Sequence, residues 1–227
     1  MNKTTLLLSV VVTFLVTVLI IYLTPLKHFT LSLDAYYKKK RNLIDEGQFG
    51  EALVEGVFNY AKGYNYGVEV GGNYRKGPFN FYANLAAGEQ RATNIISSQF
   101  FFPANELAYI ASHYIYTDHT QKLTGSAGAS YNIKDGLGPL TLSSDLIYGS
   151  GLRRGEDNLG KLPAYAQVNL GLSQQIKSGA LKGVELRFDV VNLLDSDYEL
   201  RDGTGVGVSA PQFAQRRSVY VGIAKRI

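Results

Sequence analysis

The chain of 227 residues contains no cysteine. No disulfide framework is open to it and no Cys/His zinc spacing occurs, although a cysteine-free composition suits a periplasm-facing barrel and many cytosolic proteins alike. Histidine is scarce: His28, His113 and His119 make up the whole set. His113 and His119 lie six apart beside Asp118. On extended backbone they would share one face but stand about 20 Å apart, too far for one metal ion. Structural or loop-surface roles suit these histidines better than ligation. No phosphate loop, no dinucleotide-binding fingerprint and no Gly-x-Ser-x-Gly elbow is present. A rim hydrolase using Ser150, Asp118 and His119 therefore lacks its elbow, and Tyr148-Gly149-Ser150-Gly151 reads more simply as a strand end. The sequence nominates no catalytic, cofactor-binding or metal-ligating residue, and it predicts a non-enzyme. It names no ligand-binding residue.

Strong charge of one sign is also missing. The net charge of +4 is spread along the chain, apart from Lys38-Lys39-Lys40-Arg41, which reads as a solvated rim at a strand end. No basic face interleaved with aromatics is built, so nucleic acid is not an expected partner. A mean hydropathy of −0.05 is too polar for a bundle of several membrane helices.

What the chain does have is glycine, tyrosine and phenylalanine (24, 16 and 11 residues) and an alternation of period two. Phe29, Leu31, Leu33, Ala35 and Tyr37 oppose Thr30, Ser32, Asp34 and Tyr36. Phe79, Phe81, Ala83 and Leu85 oppose Asn80, Tyr82 and Asn84. Leu123, Ala127, Ala129, Tyr131 and Ile133 oppose Lys122, Thr124, Ser126, Ser130 and Asn132. Such alternation marks strands with lipid on one face and a wet interior on the other, a pattern that hydropathy alone would miss. About eight strands are predicted, near residues 29–38, 53–74, 79–96, within 109–133, 140–151, 164–177, 184–201 and 213–226. Connections at 75–78, 134–139 (with an Asp135-Gly136 turn) and 178–183 are short. Those at 40–52, 97–108, 152–162 and 202–212 are longer. A membrane barrel segregates loop length by end in this way, whereas a soluble sandwich has no reason to. Tyr60, Tyr64, Tyr66, Tyr74, Tyr109, Tyr114, Tyr116 and Tyr148 are candidates for interfacial girdles. Asp34, Glu69, Asp145, Gln167, Asn169, Glu185, Arg187, Asp189 and Arg226 form an inward polar set that must find water, a plug or one another.

The last third carries the most distinctive motifs: Phe188-Asp189-Val190-Val191-Asn192-Leu193-Leu194-Asp195, then Tyr198-Glu199-Leu200-Arg201-Asp202-Gly203, Ala210-Pro211-Gln212-Phe213 and Arg216-Arg217. With the upstream run 42–50, Gly67-Val68-Glu69 and 148–153, these resemble the carboxy-terminal part of the β-barrel of TonB-dependent outer-membrane receptors. The resemblance covers roughly residues 25–227. It implies an all-β fold, an antiparallel transmembrane β-barrel of about eight strands belonging to a larger barrel, in the outer membrane of a Gram-negative cell. It further implies a receptor and transporter role in uptake of siderophores, vitamin B12 or carbohydrates. Outer-membrane lipid and the barrel-assembly machinery are the implied partners, with the TonB system only where a plug domain is supplied. The 227 residues have no room for that plug, so a truncated form that does not transport alone is expected. A small closed structural or adhesin-like barrel is the alternative.

The amino terminus obeys different rules. Thr4–Leu23 is an almost unbroken apolar run between Lys3 and Pro25, long enough for one membrane-spanning helix. A boundary at residue 24 is expected, with a signal-like or anchor helix over 1–24 and the barrel segment over 25–227. Three readings of the run stand: a signal sequence cut at an atypical site, a true anchor, or an unrelated start joined to the tail of a longer receptor. Truncation or odd processing is favoured, because an uncleaved anchor would hold the barrel segment in the wrong compartment.

Overall fold

The computed structural model describes residues 19–23, 27–47, 56–118, 120–134, 136–155, 157–203 and 211–225. The strands are β1 (Leu19–Leu23), β2 (Phe29–Gly47), β3 (Gly56–Lys76), β4 (Phe79–Ile95), β5 (Ile115–Tyr116), β6 (Leu123–Lys134), β7 (Pro139–Gly149), β8 (Arg153–Arg154), β9 (Gly160–Lys161), β10 (Tyr165–Gln175), β11 (Val184–Val191), β12 (Glu199–Arg201), β13 (Gln212–Phe213) and β14 (Ser218–Lys225). One helix, α1 (Ala104–Ser112), lies between β4 and β5. Ten strands form a single sheet in the order β1-β2-β3-β4-β6-β7-β10-β11-β14, with β5 added beside β4. Every pairing is antiparallel. Small hairpins β8–β9 and β12–β13 decorate the loops. Among the described residues β1 and β14 each pair with one neighbour, so the sheet is open rather than closed on itself.

The register sorts the side chains by face. The row Phe29–Tyr74–Phe81–Ala129–Ser144–Leu170–Val190–Val219 crosses the sheet from β2 to β14. Residues two positions along each strand share that face, among them Leu31, Val70, Leu85, Leu146, Leu172, Phe188 and Val221. The face is almost wholly apolar and open to solvent: Leu85 is 50% exposed and Val221 76% exposed. On β2, β3, β4 and β7 the apolar series runs nine residues, as in Tyr66 to Tyr74 and Phe79 to Ala87, and on β6 it runs from Leu123 to Ile133. Eight steps of about 3.3 Å give about 26 Å along the strand, or about 20 Å of height at a tilt of about 40°. Aromatic rings at the two ends extend this to the thickness of an outer-membrane apolar band. At one end Tyr74 and Phe79 meet with ring centroids 6.1 Å apart; at the other, Tyr64 meets Tyr66 at 6.1 Å and Tyr114 at 5.1 Å.

Turns after β3, β6 and β10 are short and all lie at one end, and the chain from β1 to β2 also turns there. β2 and β3 run to 19 and 21 residues, against the roughly 10 needed to cross a bilayer. The surplus projects at the long-loop end, where the only clustered buried core of the described residues sits. Phe58, Tyr60, Ala92, Ile95, Phe102, Ile110 and Ile115 form it, with Leu43, Phe101 and Leu107 packed against them. α1 supplies Ile110, and Thr93 Oγ1 donates to the Ile110 carbonyl at 2.7 Å, satisfying one of the free carbonyls at the helix end.

Several expectations change here. Leu19–Leu23, expected as the end of a helix, is a strand whose backbone pairs with β2 from Leu19↔Ala35 to Leu23↔Leu31. A continuous aliphatic run has no periodicity to separate helix from strand, and the free edge of β2 decides the matter. The rest of Thr4–Leu23, with the boundary at residue 24, lies outside the described residues, as do Gln48-Phe49-Gly50, Asp135 and Ala210. The segment expected to be strand from 109 begins instead as α1. The seventh strand stops at Val191, not 201, because Asn192 adopts a left-handed conformation with φ of 54°. Tyr60 is fully buried in the loop-end core, so it belongs to no girdle.

Candidate functional site

The polar face of the sheet carries Asp34, Glu69, Asp145, Gln167, Asn169, Glu185, Arg187 and Asp189 by the same register argument. Arg226 lies outside the described residues. Near the long-loop end the face holds one continuous chain of hydrogen bonds. Asn169 Nδ2 donates to Asp145 Oδ2 at 2.7 Å, Gln167 Nε2 donates to Asn169 Oδ1 at 2.9 Å, and the Tyr198 hydroxyl donates to Gln167 Oε1 at 2.9 Å. The Tyr198 ring stacks on Tyr165 with centroids 4.3 Å apart, and Gln121 Nε2 donates to the Tyr165 hydroxyl at 3.2 Å. A second network centres on Gln90. Its Oε1 accepts from Lys40 Nζ and from Asn65 Nδ2, and its Nε2 donates to Thr117 Oγ1 at 2.8 Å. Ser173 donates to Glu185 at 2.9 Å, and Arg187 pairs with Asp189 at 3.5 Å.

Much of the inward set thus pairs with itself, as burial of polar groups demands. Asp34 and Glu69 do not follow suit: the register sets them directly opposite each other, an arrangement of like charges that weakens a strand pair. Tyrosines lie flat over cross-strand glycines on this face. A Cβ at Gly67 would collide with the Tyr36 hydroxyl, and one at Gly128 with the Tyr82 ring.

Asn192 organises the turn that follows β11. It is fully buried. Its amide N–H donates to Asn169 Oδ1 at 2.9 Å, its Nδ2 donates to the carbonyls of Ser196 (2.9 Å) and Gln215 (3.0 Å), and its Oδ1 accepts the Ser196 amide at 2.9 Å. Asp195 closes the loop from outside. Arg216 binds it with both arms of the guanidinium, Nε to Oδ1 at 3.0 Å and Nη2 to Oδ2 at 2.8 Å, and the Arg217 amide donates to Oδ1 at 3.0 Å. The hydrogen bonds from Arg216, then the one from the Arg217 amide, hold the Asp195 carboxyl well below the ordinary carboxylate range. A carboxylate depressed by folding stabilises the folded form above its unfolded value and loses that contribution as pH falls through its folded one. The clasp should therefore hold at neutral pH and begin to loosen only below about pH 4. Hydrogen exchange at the Arg217 amide is expected to accelerate across that acid range, and Asp195→Asn should remove the pH dependence.

The histidines occupy structural positions. His28 is exposed, with φ of 78°, in the β1–β2 turn, where its carbonyl accepts the Arg75 amide at 2.9 Å. His113 sits at the carboxy-terminal end of α1, stacked on Tyr109 with ring centroids 4.2 Å apart and Nδ1 3.0 Å from the Tyr109 carbonyl oxygen. Its own backbone is extended, with φ of −125° and ψ of 146°, but it caps a helix and does not stand in the strand that was expected. His119 lies outside the described residues. Ser150 Oγ accepts the Leu123 amide at 3.0 Å and closes a strand end.

Sequence reasoning missed the Gln90 network, the Tyr165–Tyr198 stack and α1. The last had a readable signal: Pro103 ahead of Ala104-Asn105-Glu106, then Leu107 and Ile110 three apart. It also missed a group on the opposite face, where Tyr116, taken as a girdle residue, stands among cations, and where Lys122, expected on the polar face, instead reaches Glu89 at 3.1 Å. Arg91 and Arg153 place their guanidinium carbons 4.1 and 3.6 Å from the Tyr116 ring centroid.

Comparison with known proteins agrees with this geometry. The family model described as TonB dependent receptor-like, beta-barrel, matches residues 20–193. Comparison with curated proteins gives no match. Among solved structures, the siderophore receptor PiuA from Acinetobacter baumannii superposes with a TM-score of 0.61 at 17% identity, over 86% of this chain and 26% of that one. The ferric yersiniabactin uptake receptor FyuA from Yersinia pestis gives 0.61 at 14%, over 87% and 27%. The FrpB iron transporter from Neisseria meningitidis (F5-1 variant) gives 0.61 at 11%, over 89% and 30%. At these identities the likeness is one of fold, and the chain spans between a quarter and a third of the length of these receptors.

Proposed function

From a chain that belongs to the TonB-dependent receptor β-barrel family, we propose a carboxy-terminal wall segment of an outer-membrane receptor for siderophore-class ligands, one that does not transport alone. The observation that carries this reading is the two-faced sheet, apolar on one side, polar on the other and, among the described residues, open at both edges. The apolar face calls for lipid. The polar face, with Asp34 opposite Glu69, calls for water or a plug. A closed barrel of about eight strands would be filled by its own side chains, leaving no passage for a siderophore. In a working receptor the remaining wall and the plug would complete the lumen, and the TonB system would act through that plug. Assembly would draw on the barrel-assembly machinery. The siderophore class is drawn from PiuA and FyuA, which are named for siderophore and ferric yersiniabactin uptake, and a transport role assigns no reaction to any residue.

The test is to express the chain in cells that lack siderophore uptake, with and without a receptor portion that carries the plug and preceding strands. Uptake of radiolabelled iron–siderophore is expected only with the complement. The chain alone should reach the outer-membrane fraction yet run unfolded on unboiled SDS gels, because its edges are unpaired. A compact SDS-resistant band from the chain alone would establish the small closed barrel instead.

A further inference from the structure

On β4 the outward series is apolar through Phe79, Phe81, Ala83, Leu85 and Ala87, then becomes charged at Glu89 and Arg91. The change falls in the row that pairs Tyr66 with Glu89, the upper edge of the apolar band. Side chains beyond that row stand at headgroup depth in a bilayer. β5 sets Tyr116 opposite Arg91, Lys122 lies just before β6, and Arg153 enters from β8. Glu89 accepts from Arg91 Nε at 3.0 Å, from the Tyr116 hydroxyl at 3.0 Å and from Lys122 Nζ at 3.1 Å. Arg91 Nη2 donates to the Tyr116 hydroxyl at 2.6 Å.

Three cations therefore surround one ring, and two of them, Arg91 and Lys122, share the Glu89 carboxylate. Arg153 is 7% exposed, and its Nε has no hydrogen-bond partner among the described residues. The Tyr116 ring offers a face for its charge but no acceptor for its N–H. A buried guanidinium with an unfilled donor is costly, and a phosphate ester supplies both a negative charge and the missing acceptor. Lys122, with its side chain 53% exposed, keeps the cluster open to the membrane surface.

We propose that Arg91, Lys122 and Arg153, arranged around Tyr116, bind the phosphate of a phosphorylated lipid in the outer leaflet. This rests on the membrane embedding proposed above. The full chain in a non-ionic detergent is mixed with a diphosphorylated glucosamine-disaccharide lipid or with its dephosphorylated counterpart, and bound lipid is read by native mass spectrometry. The phosphorylated form should be retained in clear preference. Lys122→Gln and Arg153→Gln should each weaken retention about fivefold, the loss of one cation at an anionic surface. The exposed Lys122 variant keeps the result readable if Arg153→Gln fails to fold. Equal retention of the two lipids overturns the site, and displacement by millimolar inorganic phosphate overturns the lipid as its ligand. Vesicle flotation of the same chain separates the two readings: a chain that floats without phosphate preference defeats this site alone, and one that does not float defeats the embedding and the site together.

Discussion

Replacing Asn192 by alanine is expected to destabilise the chain by about 3–5 kcal/mol. The side chain makes three hydrogen bonds to backbone groups of Ser196 and Gln215. Truncation would leave these groups without the partner that the buried side chain supplies, at about 1–3 kcal/mol for each one left unsatisfied. Repacking and water would recover part of that sum. The backbone adds its own cost: at φ of 54° asparagine is tolerated and alanine is strained by about 1–2 kcal/mol. Glycine separates the two contributions, because Asn192→Gly keeps the conformation and loses only the side-chain bonds. Equilibrium urea unfolding in micelles reads both variants. Equal losses for alanine and glycine would show that the backbone term is absent, and a loss under about 1 kcal/mol for both would show that the clasp is not what holds β11 to β14.

Val70→Arg is the second large effect. Val70 pairs with Leu33 and Leu85 in the middle of the apolar face and is 40% exposed. On a soluble protein such an exposed position would tolerate arginine within about 0.5 kcal/mol. At the midplane of a lipid-facing band the same change costs about 2–4 kcal/mol, falling to about 0–1 kcal/mol near the interface. The expected series in refolding into vesicles is therefore a large loss for Val70→Arg and a small one for Ala87→Arg at the band edge. Glu69→Arg on the opposite face should lose nothing and gain a few tenths of a kcal/mol by facing Asp34. A flat series across depth would argue against the embedding on which both proposals stand.

The alternation in Phe29–Tyr37, Phe79–Leu85 and Leu123–Ile133 was sufficient to place these residues on their faces, because a strand has only two sides and a fixed period. Turn length was equally legible: Gly77-Pro78 leaves little choice at the β3–β4 connection. Ambiguity began where a local signal had two readings. Leu19–Leu23 is apolar without a period, so its strand form depends on the free edge of β2. The run from Tyr109 has strand-forming tyrosines, yet its first turn is helical because Leu107 and Ile110 find a core made by Phe58, Tyr60 and Ile95.

The candidate sites divide in the same way. The string Val191-Asn192-Leu193-Leu194-Asp195 was recognisable as a motif, but its purpose was not. Asn192 meets Gln215 across 23 residues and Asp195 meets Arg216 across 21, separations at which sequence spacing carries no distance information. The cluster of Arg91, Tyr116, Lys122 and Arg153 was invisible for the same reason: four polar residues on three separate segments converge only after the ladder is zipped.

By itself, then, the sequence determined the class of fold, the two faces and the end at which the loops lengthen. These follow from nearest-neighbour periodicity and turn chemistry, which need no knowledge of the rest of the chain. Only the tertiary structure decided that the apolar tail of residues 19–23 is a strand, that Tyr60 is core rather than girdle, and that three cations gather around the Tyr116 ring at the edge of the apolar band. Each of those depends on which distant backbone lies alongside, and strand register across the sheet, not local composition, sets that.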